Sequence, residues 1–334
     1  MGRYIARRCL QAVITLFLVV LALHLLTTFA IQLNGNPALA FFGDRIPNAS
    51  QLAAVEQRYG LDDPCYDQTG NPCLGRFVDR VASYAQGDFG TNLRGRDVMD
   101  IVATAAPNTL RLFCIVTITW LVIGMVLGSI AARWRGRAVD HSIRLTSVLI
   151  DAFPVFVLLL VYRYVFSVPL SDWAEGRFGR GSLPALWFRP SFDADHPWAT
   201  LLVPGVLLGL AGSASFVRLV RASQLESYSS EHVRTARAKG LPERHVVTHH
   251  VVRNSSVPVV TAVGLTFADA LGGAVITEGL MNIYGMGGVL WEAVRASDVS
   301  LVVGIVTILA IVTVVVMILV DIAYAALDPR IRYE

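Results

Sequence analysis

Glu231-His232-Val233-Arg234-Thr235-Ala236-Arg237-Ala238-Lys239-Gly240-Leu241-Pro242 lies between two long apolar segments and reads as one short, basic helix. Ala236, Ala238 and Gly240 would let another backbone approach closely, while Arg234, Arg237 and Lys239 keep the segment in water. Two membrane spans need no such helix between them unless something on the cytoplasmic side grips it.

What flanks this stretch sets the class. A mean hydropathy of +0.55, with 54% apolar and 16% charged residues, is too apolar for a soluble chain of 334 residues. The apolar residues are also blocked rather than spread. A bilayer core of about 30 Å needs about 20 apolar residues per helix, and six segments qualify: 10–31, 112–132, 143–166, 201–222, 257–277 and 301–326. Asp269 interrupts the fifth. No long alternating strands appear, so the expectation is an all-α, polytopic membrane helical bundle rather than a barrel. Arg3, Arg7 and Arg8 ahead of the first apolar run resemble a secretory leader, but the run is too long and lacks a convincing small-x-small cleavage site. It reads as an uncleaved first span.

Arginine placement gives the orientation. With six spans both termini share a side. Putting them inside collects Arg133, Arg135, Arg137, Arg144, Arg218, Arg221, Arg234, Arg237, Lys239, Arg244, Arg253, Arg330 and Arg332 there with the N-terminal arginines. The 32–111 segment is instead rich in aspartate. This fits the positive-inside rule and predicts a multi-pass cell-membrane protein with cytoplasmic termini. The net charge of +3 is then a topology signal, and no basic soluble domain for nucleic acid is present. The organisation expected is a tail and first span at 1–31, an extracytoplasmic region at 32–111, a core of five spans at 112–328 with a cytoplasmic loop at 223–256, and a short tail at 329–334.

The outside region is too long for a plain connector. Short helices are expected at 51–59, 74–84 and 97–105, with the turn-rich Gly87-Asp88-Phe89-Gly90-Thr91-Asn92-Leu93 between the last two. That turn either packs onto the mouth of the bundle or touches solute. Cys65 and Cys73 sit in a loop bracketed by Pro64, Gly70 and Pro72 in an oxidising compartment. A disulfide there would contribute about 2–3 kcal/mol on the chain-entropy model; free thiols or an incomplete metal pair are the alternatives. Cys9 and Cys114 read as small buried hydrophobes.

Gly124/Gly128 and Gly205/Gly209 are GxxxG pairs suited to close helix approach in lipid. Among ionisable residues in apolar segments, Arg163 and Glu278 lie near outer ends and can snorkel, and Asp321 lies near an inner end. Asp151 and Asp269 are candidates for a translocation path. Gly272 and Gly273 follow Asp269, so its helix either lines a wet path or its carboxylate bonds a neighbouring helix. Catalytic readings fail: there is no phosphate-binding Gly-x-x-x-x-Gly-Lys-Ser/Thr loop and no His-Glu-x-x-His pair. His245 and His249 are two imidazoles without a third ligand. Glu243 reads as an ordinary exposed residue.

Glu231–Pro242, with His250-Val251-Val252-Arg253-Asn254 leading to Pro258, resembles the coupling loop of bacterial ABC importer permeases of the dipeptide, oligopeptide and nickel group. Gly272-Gly273-Ala274-Val275, Thr277-Glu278, Gly285-Met286-Gly287-Gly288 and the ending Ala326-Leu327-Asp328-Pro329-Arg330-Ile331-Arg332 are similar to that family's phrases in the same order. Two departures stand out: Arg234 occupies the family's usual glutamate position, and the outside loops carry insertions, notably the cysteine pair and 177–195.

The resemblance implies the type I importer permease (MetI-like) fold, as the first of two permease subunits. It implies that Glu231, Arg234, Thr235, Ala236, Arg237, Ala238, Lys239, Gly240 and Leu241 couple the pore to an ATPase. The partners implied are a second homologous permease, two ATPases and an extracytoplasmic solute-binding lipoprotein, all at the lipid bilayer. It implies a non-catalytic chain that binds no cofactor, ATP and Mg2+ residing on the ATPases. The implied cargo is di- or oligopeptide, or a nickel chelate, glutathione or haem. An ion-coupled secondary transporter is the reading from a different class; it would need internal inverted repeats, and none is seen.

Overall fold

The computed structural model describes residues 2–34, 37–42, 47–59, 61–255 and 273–327. Every regular element among them is helical, apart from one isolated bridge between Thr91 and Asp97. Five helical stretches are long and apolar enough to cross a membrane: Ala6–Leu33, Val98–Arg133, Val155–Phe178, Pro197–Tyr228 and Val299–Ile322. Their number accords with six expected spans, because most of the fifth expected span, with Asp269, lies outside the described residues.

Two boundaries differ from expectation. The helix expected at 97–105 is the first part of a continuous 36-residue helix, Val98–Arg133, which runs through Pro107. The span expected at 143–166 is instead two elements, Ala138–Ala152 and then Val155–Phe178. Pro154 explains the break. It has no N–H to donate and disfavours helical geometry in the residue before it, and Phe153 is extended at φ −93°, ψ 124°.

The chain divides into two compact units, Met1–Ala106 with Val289–Ile318, and Pro107–Gly288 with Leu319–Glu334. In the first, Cys65 and Cys73 form a disulfide with Cα atoms 5.6 Å apart. Its loop is held by Gln32 of the first helix, whose amide donates to the Asn71 carbonyl (2.7 Å) and accepts from the Gly70 N–H (2.9 Å). His24, fully buried, reaches the Pro72 carbonyl at 3.0 Å. The Gly87–Leu93 turn packs within this unit: the Leu93 N–H donates to the Asp298 carboxylate at 2.9 Å, and a Cβ on Gly304 would lie 3.0 Å from the Phe89 carbonyl.

In the second unit the two GxxxG pairs meet the same pair of helices from opposite sides. A Cβ on Gly205 would lie 2.7 Å from Ile115, one on Gly209 2.7 Å from Thr119, and one on Gly128 2.7 Å from Val220; one on Gly124 would enter the Phe216 ring. Val98–Arg133 and Pro197–Tyr228 therefore approach closely along these glycines. Trp120 stacks on Phe216 with centroids 4.3 Å apart and donates its indole N–H to the Gly212 carbonyl at 2.7 Å.

Candidate functional site

The Glu231–Pro242 segment forms the helix Glu231–Ala238. Its sequence alternates a small buried stripe with an exposed charged face. Val233 and Ala236, three residues apart, are 0% and 4% exposed and pack with Val246, Val251 and Tyr228 into a small core of the loop's own. Positions i and i+3 share a helix face, so the opposite face presents Arg234, Thr235, Ala238 and Lys239 to solvent, with Leu241 exposed just beyond. The expected role of Ala236 is thereby revised: its small side chain admits Val246 and Val251, and it offers no surface to a partner.

The helix ends through Gly240, which has φ +73°. The Gly240 N–H donates to the Arg237 carbonyl (2.9 Å) and the Leu241 N–H to the Ala236 carbonyl (3.4 Å). These two bonds close a helix through a left-handed residue, and Pro242 then starts the next element. No atom lies within 4 Å of a Cβ built on Gly240, so within this chain the glycine serves backbone geometry rather than close approach.

Arg237 is also engaged internally. Its Nε and Nη2 donate to the two carboxylate oxygens of Glu243 at 3.1 and 2.7 Å, and its guanidinium lies 5.8 Å from the Tyr228 ring centroid. The Arg237 hydrogen bonds hold the Glu243 carboxyl below its ordinary range. Glu243 is therefore a tie between loop elements and not a bland surface position. Arg234 pairs with Glu231 at 2.9 Å on a well-exposed face, an arrangement that contributes little to stability.

The loop is fastened to the long helices. Ser227 Oγ donates to the Val251 carbonyl at 3.3 Å. Asn254 donates to the His250 carbonyl at 2.7 Å and lies 3.0 Å from His232 Nε2. One turn and more up the Pro197–Tyr228 helix, Arg221 grips Asp140 with two hydrogen bonds of 2.7 and 2.8 Å. Asp140 is 1% exposed and also accepts the Gly136 N–H at 2.9 Å. The Arg221 bonds outweigh burial and hold its carboxyl at about 2. Arg218 pairs with Asp151 on the same two helices. The loop helix is thus tied, through Ser227, to the end of the long helix Pro197–Tyr228, which Arg221 and Arg218 in turn fasten to Ala138–Ala152.

Residues 124–333 match the family of binding-protein-dependent transport system inner membrane components. The glutathione transport system permease protein GsiC of Escherichia coli (strain K12) is 34% identical over 336 residues, covering 100% of both chains, and so are the proteins of that name from Shigella dysenteriae serotype 1 (strain Sd197) and Shigella flexneri serotype 5b (strain 8401). The chain belongs to this family. It is a multi-pass permease subunit of an ABC importer, and its loop helix Glu231–Ala238 follows the long helix Pro197–Tyr228.

Of the residues expected in the permease's translocation path, Asp269 lies outside the described residues. Asp151 falls ahead of the candidate span Val155–Phe178, half-exposed and paired with Arg218. The physical reason is again Pro154, which ends the amphipathic helix before the apolar one begins.

Glu278 is the residue that sequence reasoning missed. It does not snorkel: it is 0% exposed, and its Oε2 accepts the N–H groups of Gly287 (2.7 Å) and Gly288 (3.0 Å). These belong to the first turn of the helix Met286–Arg295, where a carboxyl group satisfies otherwise orphaned donors. A Cβ on Gly285 would collide with the Glu278 carboxyl, and one on Gly288 with the Ile283 carbonyl. Thr109 Oγ1 accepts the Met286 N–H at 2.8 Å, and Asn108 donates to the Tyr284 carbonyl at 2.7 Å. Arg163 likewise turns inward and donates to the Leu280 carbonyl. The available signal was the Gly285-Met286-Gly287-Gly288 run following a glutamate in an apolar setting.

Proposed function

We propose that this permease forms half of a translocation pore for peptide-class solutes, glutathione among them, and is driven by ATPases that dock on the loop helix. The observation that carries the reading is the self-cored loop helix with Arg234, Thr235, Ala238, Lys239 and Leu241 facing outward. A cored helix transmits a push, and an exposed face of small, cationic and aliphatic side chains suits a groove on another protein. Identity of 34% with the glutathione transport permease along the whole chain supports the cargo class.

In this reading both termini and the loop are cytoplasmic, and the pore is completed by a second, homologous permease. An extracytoplasmic solute-binding lipoprotein delivers the cargo. The chain is non-catalytic, and ATP with Mg2+ is held by the two ATPase subunits. Asp269 and Asp151 remain proposed contributors to the path.

Paired substitutions test it. Ala238→Trp adds bulk to the exposed face and leaves the loop core alone. Membrane abundance and co-purification of the other permease should be normal, with solute uptake down at least tenfold. Ala236→Arg forces a charge into the Val233/Val246/Val251 core and should lower abundance as well. Normal uptake by Ala238→Trp would remove this helix from the mechanism, and a chain that purifies alone and transports on an ion gradient would overturn the importer reading.

A further inference from the structure

The unit formed by Met1–Ala106 and Val289–Ile318 contains a cavity of about 300 Å3. That volume is at the small end for pockets that hold small molecules, roughly 300–1,000 Å3. One wall is a single face of the helix Leu74–Ala85, since Arg76, Asp79, Arg80 and Ser83 recur at helical spacing. The beginning of the helix Val299–Leu327 also lines it, through Ser300 and Val303.

The charged groups that line this cavity are mostly accounted for. Arg76 pairs with Asp63 at 2.8 Å. Asp88 accepts the Gly90 N–H at 2.9 Å. Asp298 accepts the N–H groups of Leu93 (2.9 Å) and Leu301 (3.1 Å). Arg80 Nη1 is buried and, among the described residues, has no hydrogen-bond partner. A buried charged donor without an acceptor is costly, and Arg80 lines this half-open cavity. Asp79 is exposed and stands one residue from it on the same helix.

We propose that this cavity is a binding site for a small zwitterionic solute whose carboxylate is held by Arg80. The planar guanidinium fork matches a carboxylate. Three aspartates in the lining disfavour a doubly charged anion such as phosphate, and exposed Asp79 is placed to accept an ammonium group. Aliphatic Ile31, Leu61 and Val303 leave room for a short apolar body.

The test is calorimetric titration of the full-length chain in lipid nanodiscs, disulfide intact, with alanyl-alanine, its C-terminal amide and inorganic phosphate. Alanyl-alanine should bind saturably, and the amide at least tenfold more weakly. Arg80→Gln should cost at least tenfold in affinity, Arg80→Lys should recover part of it, and Ser83→Trp, which fills the cavity, should abolish binding. Three results overturn the proposal: no saturable binding of alanyl-alanine, equal binding by Arg80→Gln, or phosphate binding as tight as the peptide's and equally dependent on Arg80. If Arg80→Gln does not fold, the comparison of peptide with amide on the native chain and the Ser83→Trp result decide. The choice of a peptide probe rests on the proposed function. Because binding is measured without ATPases, failure here leaves the uptake test of the loop helix untouched, and the reverse also holds.

Discussion

Gly240 separates two explanations of the loop helix that make opposite predictions. If the glycine exists to let another protein's backbone come close, function should fall with side-chain size, and Asn should be worse than Ala. If it exists to end the helix, function should follow tolerance of positive φ. The positive φ of +73° favours the second, and within this chain no described atom lies within 4 Å of a built Cβ. A non-glycine residue in the left-handed region costs about 1–2 kcal/mol, and Asn is the usual exception because its short polar side chain bonds locally. With no clash to add, Gly240→Ala should destabilise the cap by about that amount, which is a factor of about 5–30 in the population of loops with the cap open. Hydrogen exchange on the 231–246 peptide of the full chain should therefore quicken by about 5–30-fold at the Gly240 and Leu241 amides for Ala, and clearly less for Asn. Uptake by the assembled importer should rank Gly, then Asn, then Ala. The reverse order of Asn and Ala in uptake, with exchange unchanged in both, would refute the backbone explanation and restore close approach.

Two further outcomes follow from buried carboxyl groups. Asp140 is held at about 2 in the folded chain against an ordinary 3.8, so it favours the folded state above pH 4 and loses that contribution as pH falls from about 4 to about 2. The shift corresponds to about 2 kcal/mol. Asp140→Asn should lower the thermal unfolding midpoint at neutral pH, and the gap to the native chain should close on acidification; a gap independent of pH would show that Asp140 does not act through its charge. Glu278→Ala strands two buried N–H donors, at Gly287 and Gly288, and should cost about 2–4 kcal/mol. Glu278→Gln keeps an acceptor oxygen and should cost much less. Equal loss of folded protein for the two variants, measured by size-exclusion recovery, would exclude the capping role.

Some of this architecture was legible in the residues alone because lipid imposes a local rule. A helix in a bilayer must satisfy its own backbone and be apolar for about 20 residues, so the spans read out of 10–31, 112–132, 201–222 and 301–326 without knowledge of neighbours. Gly124, Gly128, Gly205 and Gly209 were equally readable, since only small residues let helices approach closely in a solvent that gives no hydrophobic push. The Cys65–Cys73 bond was one of the readings open to a loop bracketed by Pro64, Gly70 and Pro72 in an oxidising compartment, and the loop helix was legible from its short, basic composition between two apolar segments.

What the sequence could not decide was direction and partnership. Ala236 and Ala238 are chemically identical; Val246 and Val251, ten residues and more away in sequence, decide that one is core and the other surface. Glu278 looked like a residue that would reach for water, yet the turn at Gly285–Gly288 brings two backbone donors back to it. Asp151 read as intramembrane, and Pro154 ends its helix before the candidate span Val155–Phe178 begins. Hydropathy and spacing are properties of a short stretch, whereas the side a residue faces and the partner it finds depend on atoms brought near only by tertiary packing.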